Sequence, residues 1–228
     1  MKKSIAVAFA AMMLLTGCGQ KVVIDEEPAP PSAQETAVVT MGEPANHTLE
    51  SIPETSDNTI VITLRPDCAP LTCENFENLV KDGFYSGLTF HRVVDDFMAQ
   101  GGDPAGNGTG GSGMTVKGEF ANNGVENNLY HKRGVVSMAR SMAPDSASCQ
   151  FFICYTDASF LDGDYAAFGE VTEGMNVVDD FLKVPRSMGS DNAISAPDTP
   201  IAIKSIEMIE DDADGNPRAK ITMEDFLK

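Results

Sequence analysis

The sequence predicts an all-β fold, a closed barrel built from many short strands with only two helices. Short β-branched or aromatic runs recur between Gly, Pro and Asp turns, and only two stretches carry apolar residues at helical spacing. The composition of 20 Gly and 13 Pro with 42% hydrophobic residues in 228 residues is typical of a loop-rich globular domain. A closed barrel hides its strand edges and leaves its loops to form a binding groove.

The strands follow from local composition. The segment TIVITL is a β-branched run that ends at Pro66. A second extended segment carries the apolar residues Phe90, Val93 and Phe97, and Gly101 with Gly102 breaks it into a loop. Strands are predicted in total at residues 59–64, 85–94, 134–139, 150–154, 166–171 and 201–209.

Two helices are predicted between these strands. The first follows Pro70, has Phe76 and Val80 at helical spacing, and stops before Gly83. The second covers residues 175–182, with Val178 and Phe181 on its apolar stripe.

The chain divides into four predicted parts. Residues 1–17 have a charged start and a short apolar run, which is the pattern of a secretory signal. They end in Leu-Thr-Gly and are followed by Cys18. The sequence Leu-Thr-Gly-Cys resembles a bacterial lipobox with Cys18 as the lipidated residue, although an ordinary cleaved signal is the alternative. Residues 18–54 are Pro-rich and predict a flexible linker, 55–210 the folded domain, and 211–228 an acidic tail.

Charge and cysteine content restrict the possible functions. The net charge of −18 argues against nucleic-acid binding through a basic face, and we expect a monomer attached to a membrane only through lipid at Cys18. Cys149 and Cys154 lie on opposite faces of one strand and are too far apart to form a disulfide. A disulfide between Cys68 and Cys73 is the open alternative, but nothing requires it, and we predict four buried free thiols. The acidic run near residue 212 lacks the final Glu of a calcium loop, and the histidines are too scattered to form a metal site.

The segment at residues 90–104 has the composition of a binding site. Arg92 among apolar neighbours would be a permanent hydrogen-bond donor, and Gln100 could orient it or hold a peptide. The alternative is an ordinary ion pair of Arg92 with Asp95 or Asp96. The Gly-rich stretch at 105–113 lacks the context of a phosphate loop, so we interpret it as a tight loop or a place of close peptide approach.

Five further observations concern segments that follow one another along the chain: FHRVVDDFMAQGGDPAGNGTGG from Phe90, KGEF from Lys117, NNLYHKRGVVSMARS from Asn127, SCQFFIC from Ser148 and FLDGDYAAFGEV from Phe160. Together these segments resemble the cyclophilins, the cyclosporin-binding family of peptidyl-prolyl cis/trans isomerases. The resemblance runs from about Asn58 to Ile209 without a large gap. It implies an all-β-dominated fold, a closed eight-stranded antiparallel β-barrel capped by two α-helices.

The resemblance also implies the roles of individual residues. Arg92 would donate to the proline nitrogen, and Gln100 would hold the substrate carbonyl or Arg92 itself. Phe97, Met98, Phe152 and Leu161 would form the pocket for the proline ring. The groove would be lined by Ala139 and Arg140 and rimmed by Phe160 and Tyr165.

Three positions depart from well-known family members. Phe160 stands where drug-sensitive members have Trp, so we expect weakened cyclosporin binding. Arg140 and Tyr165 replace an Asn and a His that are common in eukaryotic members. These changes bear on ligand preference more than on catalysis, because Arg92 and Gln100 are retained.

The leading hypothesis is a lipid-anchored prolyl isomerase that assists folding of exported proteins outside a bacterial membrane. Its partners would be unfolded or partly folded polypeptides that contain proline. No cofactor is expected, because rotation about a peptide bond needs neither a nucleophile nor a metal. A non-catalytic module that docks Pro-containing segments is the second hypothesis. A surface carbohydrate or mineral binder is a third, and the absence of Trp weighs against it.

Overall fold

A computed structural model describes residues 51–227 of the chain. The predicted signal segment, Cys18 and most of the predicted linker lie outside these residues. Within the described range, no helix combines the length and the apolar character that a bilayer span requires.

Ten strands and two α-helices build the described part of the chain, residues 51–227. The strands are, in chain order, β1 (Thr59–Leu64), β2 (Phe90–Val94), β3 (Met98–Gly101), β4 (Val135–Met138), β5 (Phe151–Cys154), β6 (Ala167–Glu173), β7 (Arg186–Met188), β8 (Ile194–Pro197), β9 (Ile203–Ile209) and β10 (Arg218–Met223). The helices are α1 (Pro70–Lys81) and α2 (Met175–Asp180).

Eight of the strands form one antiparallel sheet in the order β2-β3-β5-β4-β6-β1-β10-β9. The sheet curls strongly, so its first and last strands approach each other. A single antiparallel bridge between Thr89 and Ala202 joins the segments just before β2 and β9, and Phe90 donates its backbone N–H to Ile201 at 2.9 Å. The predicted eight-stranded antiparallel fold with two helices is confirmed, whereas a fully paired closure of the barrel stays a prediction.

Helix α1 begins where the sequence predicts and uses a distant carboxylate as its cap. Pro70 occupies the first turn, where its missing N–H costs no hydrogen bond. Glu119, which is buried, accepts from the backbone N–H of Leu71 at 3.0 Å and of Thr72 at 2.7 Å. A negative charge at this end also complements the helix dipole, so the Lys-Gly-Glu-Phe segment holds α1 against the barrel.

Aromatic side chains fill the space between α1 and the sheet. Phe76 of α1 contacts Tyr85, Phe151 and Phe168 with ring centroids 5.3 to 5.7 Å apart, and all four side chains are fully buried. Such tilted and edge-on contacts are favourable beyond the area they bury. The strand predicted from residue 85 begins only at Phe90, because residues 82–87 are turns with left-handed glycines.

The structure corrects the predicted boundaries of the domain. Residues 211–228 were predicted to be an acidic tail, but Arg218–Met223 form β10, which lies between β1 and β9 inside the sheet. Its alternate residues Ala219 and Ile221 are fully buried, a period-2 pattern that the neighbouring acidic residues obscured. Ile52, placed in the linker, packs on the core.

The β7–β8 hairpin was not predicted. Its strands are only three and four residues long and carry Ser and Pro in place of a β-branched run, so the sequence gives little strand signal. The hairpin lies beside β2, and Arg186 at its start binds Asp95 at 2.9 Å. It therefore packs next to the segment that the sequence singled out.

The position of β10 can be tested by a single truncation of its core side chain. We expect Ile221→Ala to lower the free energy of unfolding by about 2–5 kcal/mol, because it truncates a fully buried side chain of the strand that lies between β1 and β9. The neighbouring Lys220→Ala, on the partly exposed face, should change it by less than about 0.5 kcal/mol. Urea unfolding of both variants measures the difference, and equal values would show that residues 218–223 lie outside the cooperative domain.

Candidate active site

Strand register brings the polar candidates of the site into one row. β2 pairs with β3 so that Arg92 lies opposite Gln100, and β3 pairs with β5 so that Gln100 lies opposite Phe152. β4 continues the row with Ser137 opposite Phe152. Because directly opposed residues present their side chains on the same face of a sheet, residues far apart in sequence become neighbours.

The alternation along β5 separates the site from the core. Phe151 and Ile153 point into the main core, whereas Phe152 and Cys154 belong to a second apolar cluster with Met98 and Leu161. This division follows from the alternation of side chains between the two faces of a strand. The second cluster forms the floor of an open cavity on the outer side of the sheet.

The cavity has a volume of about 510 Å³. Its lining contains all the catalytic and substrate-binding residues that the resemblance implied: Arg92, Phe97, Met98, Gln100, Ala139, Arg140, Phe152, Phe160, Leu161 and Tyr165. Met98, Phe152 and Leu161 are buried in its floor. Phe160 stands on the rim, 70% exposed, with its ring 5.5 Å from that of Phe97, and its effect on cyclosporin stays a prediction.

The guanidinium group of Arg92 enters this cavity from β2. Its Nη1 lies 3.4 Å from Oε1 of Gln100 and 3.8 Å from the sulfur of Met98. The group also lies over the ring of Phe97, 5.9 Å from the ring centroid. The cation is therefore held beside apolar surface, as the sequence predicted.

Arg92 also has a carboxylate partner that the sequence did not identify. The alternative considered from the sequence was an ion pair with Asp95 or Asp96, but Asp95 binds Arg186. Instead, Nε of Arg92 donates to Oδ2 of Asp191 at 2.6 Å. Asp191 lies in the turn of the β7–β8 hairpin, and it was missed because the hairpin was missed.

A chain of amide hydrogen bonds fixes Gln100. Its Nε2 donates to Oε1 of Gln150 at 2.9 Å, and Nε2 of Gln150 donates to the carbonyl of Gly110 at 2.8 Å. Gly110 belongs to the Gly-rich loop, where an added Cβ would collide with the carboxylate of Asp103. This supports the interpretation of residues 105–113 as a tightly folded loop, and it leaves Oε1 of Gln100 directed at Arg92.

Arg140 is held by aromatic rings and carbonyl groups. Its guanidinium carbon lies 4.7 Å from the ring centroid of Tyr165 and 5.1 Å from that of Phe120. Its Nε donates to the carbonyl of Asp164 at 2.8 Å. Arg140 also lines a smaller cavity of about 230 Å³, and it shares this position between two cavities with Gln100 and Ala139.

A buried histidine supports Phe152 from behind. His131 stacks on Phe152 with a ring separation of 6.0 Å and an angle of 14°. Its Nδ1 lies 2.8 Å from Oδ1 of Asp162 and its Nε2 lies 2.9 Å from Oγ of Ser137. Burial lowers the pKa of His131, and the carboxylate of Asp162 only partly offsets this effect, so the ring is neutral near pH 7.

The cysteines of the described range do not take part in this site. Cys68, Cys73, Cys149 and Cys154 are free and buried, as predicted. Burial raises the pKa of Cys73 and of Cys154 to about 12. Since the thiolate is the reactive form, these groups are unsuited to act as nucleophiles. Among residues 51–227, no cluster of three His, Cys, Asp or Glu side chains could hold a metal ion.

Comparisons with known proteins agree with this geometry. The family described as "Cyclophilin type peptidyl-prolyl cis-trans isomerase/CLD" matches residues 51–208. A peptidyl-prolyl cis-trans isomerase of Helicobacter pylori is 44% identical over 128 residues, which are 55% of this chain and 76% of that protein. Peptidyl-prolyl cis-trans isomerase B of Bacillus subtilis is 45% identical over 119 residues, 52% of this chain and 79% of the relative.

Solved structures give the same result. A cyclophilin-type peptidyl-prolyl cis-trans isomerase of Cryptosporidium parvum, determined in the presence of the dipeptide Ala-Pro, superposes with a TM-score of 0.57 at 29% identity. The match covers 65% of this chain and 93% of that protein. The chain belongs to the cyclophilin-type peptidyl-prolyl cis-trans isomerase family, as the resemblance predicted. Its enzyme class is peptidyl-prolyl cis-trans isomerase.

The buried state of His131 predicts a pH dependence of stability. Because its pKa is lower in the folded than in the unfolded protein, unfolding takes up a proton once the pH falls below about 6.5. The free energy of unfolding should therefore decrease as the pH falls from about 7.5 to about 5.5, and less steeply in His131→Gln. Some slope should remain, because burial also lowers the pKa of His91. Urea unfolding across this range is the measurement, and an unchanged slope in the variant would contradict the assignment.

Proposed function

We propose that this isomerase acts on X-Pro bonds of exported polypeptides, with Arg92 and Gln100 as its polar catalytic residues and Phe97 and Phe152 as the apolar ones. The observation that best supports these roles is the cross-strand row of Arg92, Gln100 and Phe152 at an open apolar cavity. The Cryptosporidium parvum relative was determined with Ala-Pro, and we extend that class of ligand to this chain.

The reaction is a rotation, so the site must favour a twisted bond. Resonance with the imide nitrogen makes the barrier about 18–20 kcal/mol. As the bond twists, the nitrogen lone pair is released and becomes a better hydrogen-bond acceptor. A donor directed at that nitrogen binds the twisted state more strongly than either planar isomer, which lowers the barrier.

In this proposal, different side chains of the cavity bind the proline ring and donate a hydrogen bond to its nitrogen. Met98, Phe152 and Leu161 form an apolar floor of a size and shape that suit a proline ring. The guanidinium of Arg92 lies at the edge of this floor and supplies the donor, while Gln100 holds it or the substrate carbonyl. A charge-assisted hydrogen bond is worth about 1.5–3 kcal/mol, or about 10- to 100-fold in rate, so removal of the substrate from water must supply the rest.

A non-catalytic docking module is the second candidate function. It is favoured by the ion pair of Arg92 with Asp191, because a guanidinium already paired to a carboxylate is a weaker donor to a neutral nitrogen. The two candidates differ in whether turnover depends on Arg92.

Replacement of Arg92 distinguishes the two candidates. We expect Arg92→Ala to reduce kcat/KM for an Ala-Pro-containing peptide about 10- to 100-fold, because the donor to the twisted nitrogen is lost. Arg133→Ala, which breaks an exposed ion pair with Asp179 away from the cavity, is the matched control and should retain full activity. NMR exchange spectroscopy measures both. Exchange at the uncatalysed rate in both wild type and Arg92→Ala, with peptide binding intact, would support the docking module.

We also propose that the enzyme is a lipoprotein on the outer side of a bacterial membrane, anchored through Cys18. The support comes from the sequence alone: the charged start, the apolar run and the Leu-Thr-Gly-Cys ending. Lipid chains on Cys18 would hold the catalytic domain near newly exported polypeptides.

The anchor can be tested in cells by one substitution. We expect Cys18→Ser to move the protein from the membrane fraction to the soluble fraction, because the acceptor of the lipid is lost. Cys68→Ser, a change of a buried thiol inside the domain, should leave the protein in the membrane fraction. Mass spectrometry of the wild-type protein provides an independent measurement, and an unmodified Cys18 there would refute the proposal.

A further inference from the structure

In the Arg92 guanidinium, one nitrogen binds the carboxylate of Asp191 and another faces the cavity. Nε donates to Asp191, and Nη1 contacts Gln100 and the sulfur of Met98. Within residues 51–227, no side chain or carbonyl accepts a hydrogen bond from Nη2. Two nitrogens thus orient the planar group, and the guanidinium keeps donor N–H groups that these contacts do not use.

The carboxylate of Asp191 is itself held in place. Its Oδ1 accepts from Oγ of Ser195 at 2.7 Å and from the backbone N–H of Ala193 at 3.1 Å, so Oδ2 is directed at Arg92. Burial alone would raise the pKa of Asp191, but the hydrogen bonds from Arg92, Ser195 and Ala193 outweigh it and lower this pKa to about 2. The group is therefore ionised at any working pH.

The hairpin that carries Asp191 is fixed at both ends. At its start Arg186 binds Asp95, next to β2, at 2.9 Å. At its turn Oγ of Ser190 donates to the carbonyl of Asn107, in the Gly-rich loop, at 3.3 Å. A Cβ at Gly189 would collide with the Ser195 hydroxyl and crowd the Asp191 carboxylate. The position of the carboxylate is thus set by packing and not by the freedom of an exposed side chain.

We propose that Asp191 is a positioning residue for catalysis: it holds the guanidinium of Arg92 at the cavity edge, beside the apolar floor. The inference rests on the proposed role of Arg92. Without the carboxylate, the four rotatable bonds of the arginine side chain would let the cation sample solvent, and fewer encounters would have the donor aligned. Loss of alignment lowers kcat, whereas the apolar floor that binds the proline ring is unchanged.

The experiment is a double-mutant cycle read by NMR exchange with an Ala-Pro-containing peptide. We expect Asp191→Ala to lower kcat about 10-fold with less than about a 2-fold change in KM, and Asp191→Asn, which keeps an acceptor oxygen, to recover part of the loss. In the Arg92→Ala background, Asp191→Ala should have no further effect. Asp179→Ala, which breaks an exposed ion pair with Arg133 away from the cavity and the hairpin, is the matched control and should keep kcat near wild type.

Each result is decisive for one claim. A loss of kcat that is equal in the wild-type and Arg92→Ala backgrounds would overturn the positioning role, because Asp191 would then act through the fold. Full activity of Asp191→Ala would overturn it as well. If Arg92→Ala alone left kcat unchanged, the proposed function would fail instead. Should Asp191→Ala not fold, the cycle is run with the near-isosteric Asp191→Asn, and the same comparison of the two backgrounds decides.

Discussion

The pairing of β2 with β3 and of β3 with β5 is the constraint on which the site depends. It places Arg92, Gln100 and Phe152 side by side, although they belong to three separate strands. A shift of one residue in either pairing would turn the corresponding side chains to the opposite face. The core protects this register, since Phe90, Ala99 and Phe151 on the inner face are completely buried. The chemistry of the outer face is thus stabilised by the packing of the inner one.

The ion pair of Arg92 with Asp191 affects both the stability of the fold and the capacity of the guanidinium to donate to a substrate. With its side chains 30% and 21% exposed, such a pair adds only about 0–1 kcal/mol to stability. It also neutralises part of the charge that would attract an acceptor. However, Asp191 binds the Nε edge, and the cavity beside the guanidinium is open with a volume of about 510 Å³. The carboxylate of Asp191 therefore restricts the orientation of the Arg92 guanidinium more than it blocks the access of a substrate to that group.

The site residues that lie within the five cyclophilin-like segments could be predicted from the sequence, because the residues next to them in the chain identify the family. All the cavity-lining residues belong to this group, as does the split of Phe151 and Phe152 between two faces. Asp191 could not be predicted, since it reaches Arg92 from 99 residues away through a hairpin with little strand propensity. β10 was missed for a related reason: the acidic residues before it dominate the local composition and hide the alternation of Ala219 and Ile221.

The separation of the two apolar clusters explains how the rim of the site can vary without loss of the fold. Phe160 and Arg140 contact the second cluster or its edge, and neither belongs to the main core that α1 and the sheet enclose. Replacing a largely exposed ring changes the free energy of unfolding little, because little of its area leaves water on folding. The same ring lines the cavity at its rim. We therefore expect substitutions at the rim to act on ligand preference, whereas substitutions at Phe152, which lies between the cavity and His131, should affect both the fold and the site.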